Sequence, residues 1–153
     1  MDAFDHHRRS IHLRGYDYTR QGAYFITICV HQRQKLFGDV VNGGVKLNPA
    51  GTMLENIWYK IPLYYAGIDV DESIVMPNHL HGIVIVGAGP CACPNSNFPM
   101  RHPGQSQGVA PTRPLSLSDV VHRYKTMTTK QYVDGVNDDG WPVFNGKLWQ
   151  RNY

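Results

Sequence analysis

Charged residues are sparse in this 153-residue chain: Asp, Glu, Lys and Arg make up 18% of it, against 42% apolar residues. That balance excludes a disordered or solvating chain and fits a globular one. Cysteine is scarce. The three cysteines, Cys29 and the Cys91-Ala-Cys93 pair, cannot build a disulfide framework with none left over. A reduced cytoplasmic setting is the simplest expectation, with the tight pair between Pro90 and Pro94 read as free thiols in a loop. Long apolar runs are missing as well. None approaches the roughly 18 residues that span a bilayer, so no membrane segment is expected. The N-terminus MDAFDHHRRSIHLRGYDY carries charges with no apolar stretch behind them, which excludes a secretory signal. Internal repeats are absent, and the length suits one domain over residues 1–153.

Positive charge is present in two stretches. Arg8, Arg9, Arg14, Arg20, Arg33 and Lys35 face only Asp17 between His6 and Lys35. Arg101, Arg113, Arg123, Lys125 and Lys130 face only Asp119 between Arg101 and Gln131. The acids gather at Asp69–Glu72 and Asp134–Asp139, and the net charge is +3. Basic stretches of this kind suit a polyanion, although an ordinary solvated surface has the same composition.

Residues 1–22 read as a basic arm with scattered tyrosines. Ala23–Val30 reads as a strand, rich in aromatic and β-branched residues. Val40–Leu47 reads as a hairpin turning at Asn42-Gly43-Gly44. That turn lacks the spacing and the Lys-Ser/Thr ending of a phosphate loop. Asn48-Pro49 opens a helix with Asn48 as N-cap, Met53, Leu54, Ile57, Trp58 and Ile61 as its apolar stripe, and Pro62 ending or kinking it. Ile68–Met76 and Leu80–Val86 read as strands. Residues 87–114 hold six of the ten prolines and read as a flexible loop. Ser116–Val133 reads as a second helix with Leu117, Val120, Val121, Tyr124 and Met127 as its stripe. An acidic turn follows at Asp134–Gly140, and Lys147–Tyr153 reads as a strand beginning. The order predicts an α+β protein of the ferredoxin-like kind, an antiparallel sheet with two helices on one face.

The chemistry concentrates in Met76-Pro77-Asn78-His79-Leu80-His81-Gly82-Ile83. Side chains alternate along a strand, so His79 and His81 project together while Leu80 points into the core. Two imidazoles on one face make a bite for one divalent ion, with the remaining positions open to water, another side chain or substrate oxygens. The same spacing also suits two histidines that merely cap a strand end. Gly82 is expected to remove bulk beside the pair. Tyr16, Tyr18 and Tyr24, interleaved with Arg14 and Arg20, can stack on unpaired bases or simply cover the sheet edge. Arg8 and Arg9 suit phosphates better than bases. Trp149 reads as core.

The arm RRSIHLRGYDYTRQGAYFITICVHQRQKLFG, the segment MPNHLHGIV and the terminal LWQRNY, found in that order, resemble the IS200-like tyrosine transposases. The branch is the one associated with repetitive extragenic palindromes. The resemblance runs from about Arg8 to Tyr153. It implies a ferredoxin-like domain, often dimeric, that cuts and rejoins single-stranded DNA at hairpin ends. It implies that His79 and His81 form the His-hydrophobic-His pair that binds Mg²⁺ or Mn²⁺. With DNA as the partner, charge and aromatic interleaving make Arg8, Arg9, Arg14, Tyr16, Tyr18, Arg123 and Lys125 the expected contacts. It also implies a tyrosine nucleophile on a helix after the WQRNY-type strand, for which this chain has no matching position. On this reading the last helix is missing, the chain is C-terminally truncated, and it is catalytically dead or nearly so. Tyr124 lies on the helix stripe and Tyr153 at the terminus, which leaves Tyr132, near the end of the second helix, as the candidate substitute. A non-catalytic nucleic-acid-binding remnant and a fragment with no function of its own remain as alternatives.

Overall fold

A computed structural model describes residues 15–87 and 115–151. The expectations for Arg8, Arg9, Arg14, Cys91, Cys93, Tyr153 and nearly all of the 87–114 loop lie outside the described residues.

The elements run β1 (Gly22–Cys29), β2 (Gly38–Val41), β3 (Gly44–Leu47), α1 (Pro49–Tyr64), β4 (Ile68–Met76), β5 (His79–Val86) and α2 (Leu117–Asp138). The architecture is mixed α+β. Strands β1, β5 and β4 form an antiparallel sheet in that spatial order, and β2 and β3 form a separate hairpin. The hairpin turns on Asn42 and Gly43, both at positive φ (51° and 79°), as a tight right-twisting connection requires.

Both helices pack on one face of the sheet. Alternation in β1 and β5 sends Ile26, Ile28, Leu80, Val84 and Val86 into the core, where they meet Leu54, Ile57, Trp58 and Ile61 of α1 and Val120, Val121 and Tyr124 of α2. Asn48 caps α1 by accepting from the Gly51 amide at 2.9 Å, with Pro49 at the first helical position where no N–H is needed. Ser116 and Asp119 close a capping box on α2.

The helices extend further than expected. Pro62 sits inside α1, which ends at Tyr64. A proline this close to a helix end forfeits one hydrogen bond, and the chain leaves the helix within the next turn. Helix α2 runs to Asp138 instead of Val133, because the following chain folds back on it: the Asp139 and Trp141 amides both donate to the Gly135 carbonyl. Of the expected strand at Lys147–Tyr153, the described residues 147–151 make a single bridge, Val30 to Trp149. It is flanked by His31 N–H to Leu148 O and Gln150 N–H to Cys29 O, each 2.8 Å. Trp149 is buried, as expected, and donates to the buried Thr128 hydroxyl at 3.0 Å.

Gly82 has a different role from the expected one. It faces away from the histidines, into the core, where the Trp58 indole lies against its backbone so closely that a Cβ would overlap the ring. Trp58 cannot give way freely, because Tyr124 packs edge-on to it at 5.5 Å. Gly82→Ala is therefore expected to cost about 1–3 kcal/mol of stability by overpacking. Urea unfolding of the variant would show this as a lowered midpoint with an unchanged slope.

Candidate metal centre

Strand β5 carries the site. Its burial alternates without a break from His79 to Val86, with Leu80 fully buried and His79 and His81 half-exposed on the outer face. The two Nε2 atoms stand 3.1 Å apart. Two ligands at right angles, each 2.0–2.1 Å from an ion, are separated by about 2.8–3.0 Å, and two tetrahedral ones by about 3.3–3.4 Å, so the observed 3.1 Å falls between them. The pair already has the bite of a single ion. Among the described residues no third His, Cys, Asp or Glu joins it. The donor set therefore fits an open site that leaves room for oxygen ligands and does not fit a closed structural zinc site.

Each ring is held from behind. The Asn78 side chain donates from Nδ2 to the Arg33 carbonyl at 3.3 Å, which turns its Oδ1 toward His79. That oxygen lies 2.6 Å from His79 Nδ1 and can only accept, so Nδ1 carries the proton and Nε2 presents its lone pair. The Thr27 hydroxyl lies 2.8 Å from His81 Nδ1. A hydroxyl can donate or accept, so His81 can carry its proton on either nitrogen. As the rings stand, His81 Nε2–H donates to His79 Nε2. Moving that proton to Nδ1, with Thr27 turning to accept it, frees both lone pairs. Partners of this kind orient metal-binding histidines and raise their basicity.

The turn behind the pair is built by backbone clasps. Val30 N–H donates to Asn78 O at 2.9 Å, and the Leu36 and Phe37 amides both donate to Pro77 O, at 2.8 and 3.1 Å. The connecting 3₁₀ turn, His31–Arg33, holds Gln32 and Arg33 in the left-handed region, at φ 56° and 54°. Strained non-glycine residues persist where their surroundings over-determine them, often at functional sites. This geometry sets the Arg33 charge close enough to His79 to act on it. Sequence reading placed Arg33 only in a basic stretch, and nothing in the pattern signalled its position beside the histidines.

The other expected site residues scatter. Tyr16 and Tyr18 pack edge-on at 4.9 Å, with Tyr24 beyond at 6.4 Å from Tyr16, around the start of β1 and away from the histidines. Arg123 lies over the Tyr65 ring at 4.7 Å in the helix layer, on the opposite side of the sheet. Lys125 reaches the sheet edge and donates to Gln150 O at 2.8 Å, level with Cys29, the register partner of His79. Burial lowers its pKa to about 8. Tyr132 is not exposed. It is fully buried among Phe37, Trp141 and Phe144, and its hydroxyl donates to Pro142 O at 2.9 Å. The segment after α2 folds back over it, which removes it as a substitute nucleophile.

Partial burial, helped by the His81 and Arg33 charges, holds the His79 pKa below its ordinary 6.5. The unfolded chain then binds the proton more readily than the folded one. Stability from this residue is complete above pH 6.5 and is lost as pH falls through the folded pKa. His79→Gln is expected to flatten part of the decline in melting temperature between about pH 7 and pH 5. Parallel thermal melts of both proteins across that range measure it.

No protein-family profile matches the chain. A protein of Haemophilus influenzae, described only as an uncharacterized protein, is 34% identical to it over 154 aligned positions, which cover 97% of this chain and 77% of that relative. At that identity and coverage, the chain belongs to the family of this Haemophilus influenzae protein.

Proposed function

We propose that the chain is an IS200-like transposase domain that binds single-stranded DNA with hairpin ends at a divalent-metal site formed by His79 and His81. The observation that carries the reading is the pair of Nε2 atoms, 3.1 Å apart on an open sheet face, each ring oriented from behind by its own partner. The ribbon order supports the ferredoxin-like part of it. Residues 148–150 lie beside β1, then come β5 and β4, with α1 joining β1 to β4 and α2 preceding residues 148–150. Mg²⁺ or Mn²⁺ is the expected ion, and such an ion supplies positive charge to the non-bridging oxygens of a phosphodiester. The chain's own residues orient the two rings, burial disfavours the protonated form of His79, and Arg33 stands at the same end. A homodimer is part of this reading.

A second reading, binding without cutting, is favoured by one observation. The outward positions of the described sheet include Ala23, Phe25, Thr27, Cys29, Ile74, Met76, His79, His81, Ile83 and Ile85, and hold no tyrosine. Tyr124, like Tyr132, is buried with its hydroxyl engaged, donating to Leu54 O at 3.1 Å.

Native gels of a labelled hairpin oligonucleotide with Mn²⁺ test the binding, and denaturing gels of the same mixtures test for a covalent phosphotyrosine. The expected result is a shift that His79→Ala and His81→Ala weaken only when Mn²⁺ is present. Equal binding of blunt duplex and hairpin, indifferent to both substitutions, contradicts the reading. Separately, Thr27→Val is expected to lower Mn²⁺ affinity roughly 10- to 100-fold while leaving both ligands in place. Titration calorimetry at neutral pH reads this directly.

A further inference from the structure

Phe25 is the aromatic residue on the outer face beside the histidines, and it is 69% exposed. Such exposure is costly for a ring in the middle of a strand, and strand alternation alone does not demand an aromatic there. One side of the ring is used: it stacks on His81 with centroids 5.4 Å apart and planes 20° from parallel. Its register partner is Ile83, and Ile74, 53% exposed, is the register partner of His81 on the far side. The histidine pair thus stands at the edge of an apolar floor with a flat ring presented above it.

The charge on this face is divided along the sheet. The outward positions of β1 and β5 are Ala23, Phe25, Thr27, Cys29, His79, His81, Ile83 and Ile85, with no carboxylate among them, while on β4 Asp69 stands opposite Ile85 and the exposed Asp71 and Glu72 fall in the bulge, at the end away from the histidines. Arg33 is held at the His79 end, where its carbonyl accepts from Asn78 Nδ2 at 3.3 Å. Two residues along a strand cover about 7 Å. The step from the Phe25 row to the His81 row is therefore on the scale of one extended nucleotide.

We infer that this strip is a nucleotide subsite, in which Phe25 stacks an unpaired base while the phosphate attached to that base lies against the His79–His81 pair and the Arg33 charge. The inference rests on the proposed function and adds what that reading does not contain: a base-binding element that makes the site choose single-stranded over paired DNA. A base inside a duplex has no free face to offer, whereas an unpaired base has two. Every base has such a face, so the contact selects for strandedness and is tolerant of sequence.

The test uses the full chain and short oligonucleotides, each carrying one abasic position moved along the strand, with binding followed by fluorescence anisotropy. Phe25→Ala is expected to weaken binding of the unmodified strand roughly 5- to 100-fold. Phe25→Trp is expected to retain it. One abasic position should weaken wild-type binding by a similar factor and have little further effect on Phe25→Ala. Circular dichroism shows whether the variants are folded, and sedimentation shows whether Phe25→Ala changes the oligomeric state. Undiminished binding by folded Phe25→Ala, with Arg33→Gln and His79→Ala still impaired, overturns the stacking and leaves the metal-site reading standing. Loss of a dimer in Phe25→Ala, with no abasic position coupled to it, assigns the ring to a protein interface and also overturns the inference. Failure of the wild-type chain to bind any single strand overturns the proposed function itself.

Discussion

Leu80 fixes the site. It is wholly buried between His79 and His81, and its neighbours Val84 and Val86 are buried in the same phase, so β5 cannot slip by one residue without turning four apolar side chains or glycine contacts out of the core. The two imidazoles are on the outer face because Leu80 and Gly82 are on the inner one. Trp58 tightens the constraint. It occupies the space where a side chain at position 82 would project, and it is itself held by Tyr124 and by a hydrogen bond from its indole N–H to Asp71 O at 3.3 Å. The β4 bulge between Val70 and Ser73 places that carbonyl over the indole.

The orientation of the rings depends on a second layer of packing further from the chemistry. Asn78 is positioned because three amides, from Val30, Leu36 and Phe37, clasp the Pro77-Asn78 turn. That clasp forces the chain through two left-handed residues, Gln32 and Arg33, and so brings a guanidinium-bearing residue beside His79. The cost of the strained turn is on the order of 1–3 kcal/mol per residue, and the buried residues on either side, Val30 and Phe37, can hold it in place. The result is a pair of facing imidazoles and an exposed aromatic ring on one surface, with Arg33 at one end, above a core that maintains their spacing.

Much of this was legible in the sequence, for definite physical reasons. The His-Leu-His-Gly alternation, the Asn48-Pro49 cap and the Asn42-Gly43 turn are local signals, and the structure keeps each of them. What was not legible depends on tertiary contact. Gly82 reads as space beside the histidines, yet its neighbour is a tryptophan 24 positions earlier, on the opposite face. The burial of Tyr132 is not legible, because the fold-back of Trp141 and Phe144 over α2 leaves no periodic trace. Among the described residues the terminal strand makes one bridge, at Trp149, whose anchor on Thr128 is a tertiary contact. Arg33 and Phe25 were unremarked as site residues because nothing in a linear pattern says which basic or aromatic side chain will lie beside a given pair of histidines.

The central claim is that His79 and His81 together bind one divalent ion on the open face of the sheet. Crystals of the protein soaked in Mn²⁺ and measured for anomalous scattering test it most directly. The account predicts one anomalous peak about 2.2 Å from both Nε2 atoms, with water or other oxygens completing the shell and Thr27 and Asn78 still against the Nδ1 atoms. A map with no peak at the pair, or with the two imidazoles still hydrogen-bonded to each other at saturating Mn²⁺, contradicts it.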